Sequence, residues 1–208
     1  MRPPERTRIR VSPGAPALLA VFVWLSSPEV LGAVLLAALC HELGHSAVLP
    51  SRGGWVRHME ISALGANMQV AGRLSYGSEL LAAAGGPAVN LLLAAALAAL
   101  GRWWEPLYLL AAAQGVLGRF NLLPILPLDG GRMLWLALCW RTDPFLADRM
   151  AGGVSLAAAG LLTAAGAALA GRSPFLLMTA VCLLCCTAGP CIKRRKSVYA
   201  SGKREASA

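Results

Sequence analysis

Two histidines and a glutamate stand close together early in the chain. His41, Glu42 and His45 form the pattern HExxH within the segment CHELGH, residues 40–45. On a helix, residues four apart lie on the same face, so both imidazole rings can reach one metal ion. Zinc suits such a pair, and Glu42 is then placed to take a proton from a water molecule that the metal activates. The pattern therefore predicts metal-assisted hydrolysis.

The surroundings of this motif are unusually apolar. Hydrophobic residues make up 57% of the 208 residues and charged residues only 14%, whereas about 25% of the residues of soluble proteins are charged. Burying the motif in an apolar helix costs several kcal/mol unless a metal or a partner satisfies it. A structural polar cluster is the alternative. A soluble helical bundle is disfavoured because residues 80–100 show almost no polar face.

A catalytic zinc ion needs a third protein ligand, and Asp129 is the predicted one. The remaining histidine, His58, lies in a more polar segment outside the apolar runs. Asp129 is the acidic residue embedded in the fourth apolar region, directly after Pro124 and Pro127. Prolines break a helix, so the carboxylate can project from the break toward the histidines.

The apolar runs predict an all-α polytopic membrane protein. A helix of about 20 apolar residues crosses a bilayer, and about six such spans are expected, at residues 14–26, 28–50, 79–101, 106–139 with a break near the prolines, 146–171 and 174–190. We interpret the first as a retained helix and not as a cleaved signal peptide. The membrane core is expected over residues 1–190, with a short basic tail over 191–208.

The net charge of +9 reflects lysines and arginines that flank the spans, mainly at the two ends of the chain and after the second span. This distribution is typical of membrane orientation and disfavours a nucleic-acid partner. An even number of spans places both termini on one side, which the positive-inside rule makes the cytoplasm. We therefore expect an integral protein of the cell membrane with cytoplasmic termini.

Between the second and third spans, residues 55–70 alternate between apolar and polar side chains. This period of two predicts a small β-hairpin beside the membrane, with a plain linker as the alternative. Residues 59–70 are expected to offer an edge strand on which an extended substrate could pair.

Three motifs in order resemble the site-2 proteases, which are intramembrane zinc metalloproteases that cleave membrane-anchored regulators. HELGH is followed by NxxPxxxxDGG at residues 121–131, and GGPAVN at residues 85–90 resembles the glycine-proline-asparagine motif of that family. The resemblance implies six spans, one zinc ion on His41, His45 and Asp129, and Glu42 as the base. It also implies that Asn90 and Asn121, together with Gly86 and Pro87, line the substrate path or support the site. For Asn90, a hydrogen bond between helices is the alternative.

The layout resembles the sporulation-type branch of the family, without its CBS domain, and that branch processes a membrane-associated pro-sigma factor. The implied partners are a membrane-anchored protein substrate, the lipid bilayer and a regulatory membrane protein. A zinc transporter or zinc-binding membrane protein would also bury histidines and a carboxylate, but transport does not require the glutamate of HExxH. A membrane protease of prenylated substrates would share HExxH but not the DGG motif.

Overall fold

The structure is a computed structural model, and it describes residues 8–11, 16, 20, 22–24, 26–62, 65–72, 74–168, 181, 183–185 and 187. Its internal contacts divide the chain into two compact units, Met1–Asn121 and Leu122–Ala208. The first unit contains, in chain order, β1 (Arg8–Val11), α1 (Pro28–Ser51), β2 (Trp55–Ser62), β3 (Gly65–Ala71), α2 (Tyr76–Leu100) and α3 (Leu107–Asn121). The second contains α4 (Asp129–Cys139) and α5 (Pro144–Ala168).

Helix α1, which carries the HExxH motif, has clear signals at both ends. Ser27 caps its start by accepting a hydrogen bond from the backbone N–H of Val30, and Pro28 occupies the first helical turn. At the other end, Gly53 adopts a positive φ of 76°. The N–H groups of Gly53 and Gly54 donate to the carbonyls of Pro50 and Leu49 at 3.2 and 3.0 Å. This pair of bonds is a Schellman motif, and it ends the helix shortly after His45.

Helices α1, α2 and α3 form the core of the first unit, where α2 packs against both of the others. Ser75 caps α2 by accepting a hydrogen bond from the N–H of Ser78 at 3.2 Å. The buried positions along these helices are mostly small residues: Ala33, Ala37, Gly44, Ala82, Ala83, Gly85, Gly86, Ala111, Gly115 and Gly118. Small residues let helix backbones approach closely, which is how helices associate where no water drives them together.

A three-stranded sheet in the order β1-β2-β3 accompanies these helices in the first unit. Strands β2 and β3 pair antiparallel, whereas β1 pairs with β2 in parallel. The third strand was not expected from the sequence, because its basic residues were interpreted only as charges flanking a membrane span. The prediction that residues 59–70 offer an edge strand also needs correction. Strand β2 is central, since Ile61 pairs with both Val11 and Ala66, so β3 alone of the two predicted strands lies at an edge.

The predicted break in the span at 106–139 is present, because α3 ends at Asn121 in the first unit and α4 begins at Asp129 in the second. Proline lacks a backbone N–H and its ring clashes with the preceding turn, so Pro124 and Pro127 exclude a regular helix from residues 122–128. The backbone N–H of Leu126 is satisfied from outside this segment by the hydroxyl of Ser155 on α5 at 3.1 Å. Ser155 is fully buried, and it therefore anchors the segment that leads to Asp129.

Three helices among the described residues are long and apolar enough to cross a membrane, namely α1, α2 and α5. They correspond to the predicted spans at 28–50, 79–101 and 146–171. The predicted spans at 14–26 and 174–190 lie outside the described residues apart from isolated positions, as does the predicted tail at 191–208. The total of six spans stays a prediction.

Candidate metal centre

His41 and His45 lie one turn apart on α1, and their side chains converge. The two Nε2 atoms are 3.2 Å apart, and the rings meet edge to face with centroids 4.7 Å apart. His41 is buried, whereas His45 is partly accessible. The spacing of HExxH thus produces the shared face that the sequence predicted.

The other ring nitrogen of each histidine is hydrogen-bonded to an oxygen of α2. Nδ1 of His41 lies 2.7 Å from Oδ1 of Asn90, and Nδ1 of His45 lies 2.8 Å from the carbonyl oxygen of Ala82. An oxygen of either kind can only accept, so both Nδ1 atoms carry the proton. The N–H of Gly86 also points at Nδ1 of His45, but at 3.4 Å. Nδ1 of His45 cannot both donate to Ala82 and accept from Gly86. The contact with Ala82 is the shorter of the two, so Nδ1 is the donor.

When both rings are neutral, these tautomers place a lone pair on each Nε2. Two such lone pairs at 3.2 Å repel each other, and a cation that both nitrogens ligate removes the repulsion. Neutral imidazole with Nδ1–H bound to an oxygen is also the form in which histidine ligates a metal. The described residues therefore fit a metal ion between the two histidines.

Close contact between α1 and α2 holds the two rings against α2. A methyl group added to Gly44 would lie 2.5 Å from the carbonyl oxygen of Gly85, and one added to Gly85 would lie 2.5 Å from that of Gly44. A methyl group on Gly86 would overlap Nε2 of His45 and approach Cε1 of His41 to 2.9 Å. The glycines of HELGH and of the glycine-proline-asparagine motif therefore share one function, which is to let the two backbones and the rings meet. Pro87 follows directly and is buried.

Asn90 is fully buried, and its amide links three helices. Its Oδ1 accepts from His41, while its Nδ2 donates to the carbonyl of Ala37 at 3.1 Å and to Oε1 of Gln114 on α3. Asn90 thus both supports a histidine and joins helices, so the two interpretations of this residue are compatible. Gln114 was missed from the sequence. The detectable signal was an uncharged polar residue in an apolar run, since buried polar groups in membrane helices need a partner.

Glu42 and Asp129 complete the set of predicted site residues, one in each unit. Glu42 follows His41 on α1 and is half-buried, with its Oε2 atom shielded from solvent. Asp129 is the first residue of α4 and is half-buried. After it, a methyl group on Gly130 would overlap the carbonyl of Leu122, and one on Gly131 would lie 2.5 Å from the carbonyl carbon of Ile125. The DGG motif is therefore explained within the second unit by tight packing of α4 on the segment before it.

Asn121, the remaining predicted residue, makes a local contact. Its Nδ2 donates to the carbonyl of Leu117 on the same helix at 3.1 Å. The first unit thus brings together His41, His45, Gly86 and Asn90, whereas the contact made by the Asn121 amide stays within its own helix.

The chain is similar in sequence to several known proteins. Residues 95–165 match the model of Peptidase family M50. Rip3 of Mycobacterium tuberculosis, by its name a candidate zinc metalloprotease, is 33% identical over 163 residues, which cover 70% of this chain and 39% of Rip3. A zinc metalloprotease of Methanocaldococcus jannaschii is 28% identical over 108 residues, which cover 49% of this chain and 32% of that protein. The chain therefore spans less than half the length of these relatives.

The fold is similar to that of a solved protein. The site-2 protease from Methanocaldococcus jannaschii superimposes with a TM-score of 0.70 at 20% sequence identity, and the match covers 89% of this chain and 91% of that one. At this identity the likeness establishes the fold. Taken with the three sequence motifs, the family match and the relatives, it identifies this chain as a member of the site-2 protease family of M50 peptidases.

Proposed function

We propose that this chain is a zinc-dependent protease that works within the bilayer and hydrolyses a peptide bond in or beside the membrane segment of a membrane-anchored protein. The observation that carries the proposal is the pair of histidine Nε2 atoms, 3.2 Å apart, on the same helix as the half-buried Glu42. Zinc is supported as the metal by the histidine ligands and by the names of both relatives.

In the proposed reaction, His41, His45 and Asp129 hold the zinc ion. When bound, zinc polarises the scissile carbonyl and lowers the pKa of water. Glu42 takes the proton from the attacking water and returns it to the leaving amine. Helix α1 gives both histidines and the base in a single turn, so their relative positions do not depend on any loop. Asp129 is proposed as the third ligand because it is the acidic residue of the DGG motif and begins a helix that directly follows a non-helical segment.

Removal of the metal tests this proposal. We expect purified protein in liposomes to cleave a single-span substrate, to lose cleavage on chelation and to regain it when zinc is returned. Asp129→Asn should not regain it at the same zinc concentration, because an amide is a much weaker zinc ligand than a carboxylate. Asp148→Asn, a change of the same type on α5, is the control. Zinc flux into the liposomes without cleavage would instead support a transporter.

The substrate is proposed to be a membrane-anchored regulatory protein, possessing a transmembrane segment that reaches the site from the bilayer. Regulated intramembrane proteolysis, with pro-sigma factor processing as one form, is supported by the resemblance of the motifs to the site-2 proteases. The proposed location is the cell membrane with both termini in the cytoplasm, supported by the distribution of lysines and arginines.

An extended substrate is proposed to pair with the outer side of β3. In the order β1-β2-β3, that side has no strand partner among the described residues, and an unpaired edge is a template for a further strand. Neighbouring residues of a strand direct their N–H groups to opposite sides. Proline has no backbone N–H. One of the two substitutions Asn67→Pro and Met68→Pro should therefore remove an N–H group on the outer side of β3, and the other should remove an N–H group that donates to β2.

We expect the outward variant to reduce kcat/KM about tenfold, through loss of one hydrogen bond and some clash with the substrate strand. Its zinc affinity should be unchanged, because the sheet contributes no proposed zinc ligand. Cleavage at the wild-type rate by both variants would exclude pairing at β3. Proline at Ile61 is unsuitable, since the central strand would lose its own pairing.

A further inference from the structure

A line of buried polar groups crosses the first unit and ends at a proposed metal ligand. It runs from Gln114 on α3 through Asn90 on α2 to His41 on α1. Gln114 is 3% exposed and Asn90 is not exposed at all. Polar groups this deep in apolar helices must be hydrogen-bonded to one another. Their arrangement therefore determines how His41 is presented.

The orientation of the Asn90 amide follows from its two acceptors. Nδ2 donates one hydrogen to the carbonyl oxygen of Ala37 at 3.1 Å and the other to Oε1 of Gln114. If the amide were reversed, its oxygen would face the carbonyl oxygen of Ala37, and neither oxygen could donate. Oδ1 must therefore face His41, at 2.7 Å from Nδ1.

Two acceptors on different helices are needed to hold that orientation. A single bond to Ala37 satisfies only one of the two hydrogens, so rotation of the amide about the Cβ–Cγ bond of Asn90 meets less resistance. The second bond, from α3, defines the plane and therefore the direction of Oδ1. Close approach of α3 makes this bond possible, since a methyl group on Gly118 would lie only 3.0 Å from Cβ of Asn90.

We propose that Gln114 is a positioning residue for the metal centre: it anchors the Asn90 amide so that Oδ1 accepts the Nδ1 proton of His41, and Nε2 is then the nitrogen that binds the metal. The inference rests on the proposed function, because it concerns the zinc site of that protease. Gln114 acts through Asn90 and touches neither the substrate nor the metal.

A pair of matched substitutions tests this role. Gln114→Glu keeps an oxygen acceptor at the same distance along the side chain, whereas Gln114→Met keeps the shape and loses the acceptor. We expect Gln114→Met to weaken zinc binding about 10- to 100-fold, as measured by competition with a chelator, because outer partners of ligating histidines have effects of that size. Gln114→Glu should bind zinc nearly as tightly as the wild type.

A control separates positioning from simple loss of a side-chain hydrogen bond. Thr163→Val removes the bond from the Thr163 hydroxyl to the carbonyl of Ala159, which lies within α5. It should leave zinc affinity unchanged. Equal zinc affinity in Gln114→Met and the wild type, even with a lower melting temperature, would reduce Gln114 to an interhelical contact and overturn the proposal.

The tautomer of His41 gives a second measurement that does not need bound zinc. Nitrogen-15 NMR of metal-free wild-type protein should show His41 protonated at Nδ1, and Gln114→Met should show a mixture of tautomers. A proton on Nε2 in the wild type would overturn the proposal. Failure of the wild type to retain zinc would contradict the proposed function instead, and the tautomer would still decide the role of Gln114.

Discussion

Glu42→Gln is expected to abolish peptide hydrolysis while zinc remains bound. The amide has the shape of the carboxylate but cannot take a proton from water, and loss of a general base lowers rates about 10²- to 10⁴-fold. His41 and His45 keep their bonds to Asn90 and Ala82 in this variant, so the metal ligands should be unaffected. Cleavage of a single-span substrate in liposomes, with zinc content measured on the same sample, provides both values.

The control for this variant lies on the same helix. Glu29 is in the first turn of α1, where its side chain is exposed, and Glu29→Gln should cleave at the wild-type rate. If Glu42→Gln also cleaves at that rate, Glu42 is not the base. If it loses zinc together with activity, the loss of hydrolysis has to be assigned to the metal site and not to proton transfer.

Gly86→Ala is expected to destroy the metal site by steric overlap. The new methyl group would overlap Nε2 of His45, lie 2.7 Å from its Cε1 and lie 2.9 Å from Cε1 of His41. Neither ring can simply turn away, because each Nδ1 is bound to an oxygen of α2. We expect zinc affinity to fall by at least about 100-fold, at the upper end of the effects of residues around a ligand, and cleavage to fall with it.

The matched control is Gly32→Ala, because a methyl group on Gly32 of the same helix bundle would meet no heavy atom within 4 Å. It should leave both zinc affinity and cleavage unchanged and raise helix stability slightly, because alanine has a higher helix propensity than glycine. Wild-type zinc affinity in Gly86→Ala would mean that the rings and α2 separate more easily than their contacts indicate. A melting temperature measured for both variants distinguishes local displacement from unfolding.

Glu42 and Gly86 determine different properties of the site, namely proton transfer and the packing around the histidines. Glu42 contributes a proton acceptor that can be removed without moving the histidines. Gly86 contributes only the absence of a side chain, yet Gly86→Ala is expected to lower zinc affinity more than Glu42→Gln does. The glycine-proline-asparagine motif is accordingly interpreted as a support for His41 and His45, with Gly86 providing space and Asn90 providing a hydrogen bond.

The sequence alone determined the features that depend on neighbours along the chain. The four-residue spacing of His41 and His45 places both on one face of any helix, and Ser27 and Gly53 mark where that helix begins and ends. Long apolar runs identified α1, α2 and α5 as helices that are long and apolar enough to cross a membrane, since length and hydropathy are local properties. Family motifs then named Asn90 and Gly86 as important without giving either a defined role.

Only the tertiary structure decided the features that depend on residues far apart in the chain. The bond between His41 and Asn90 joins positions 49 residues apart, and the one between Asn90 and Gln114 joins positions 24 apart. Strand β1 likewise exists through its pairing with β2, so its basic residues carried no signal of a strand. Hydropathy and periodicity describe which face of an element is apolar, but they do not specify which atoms of two packed helices meet. That choice is made by the close approach of small residues such as Gly44 and Gly85, and it determines the tautomers of the histidines.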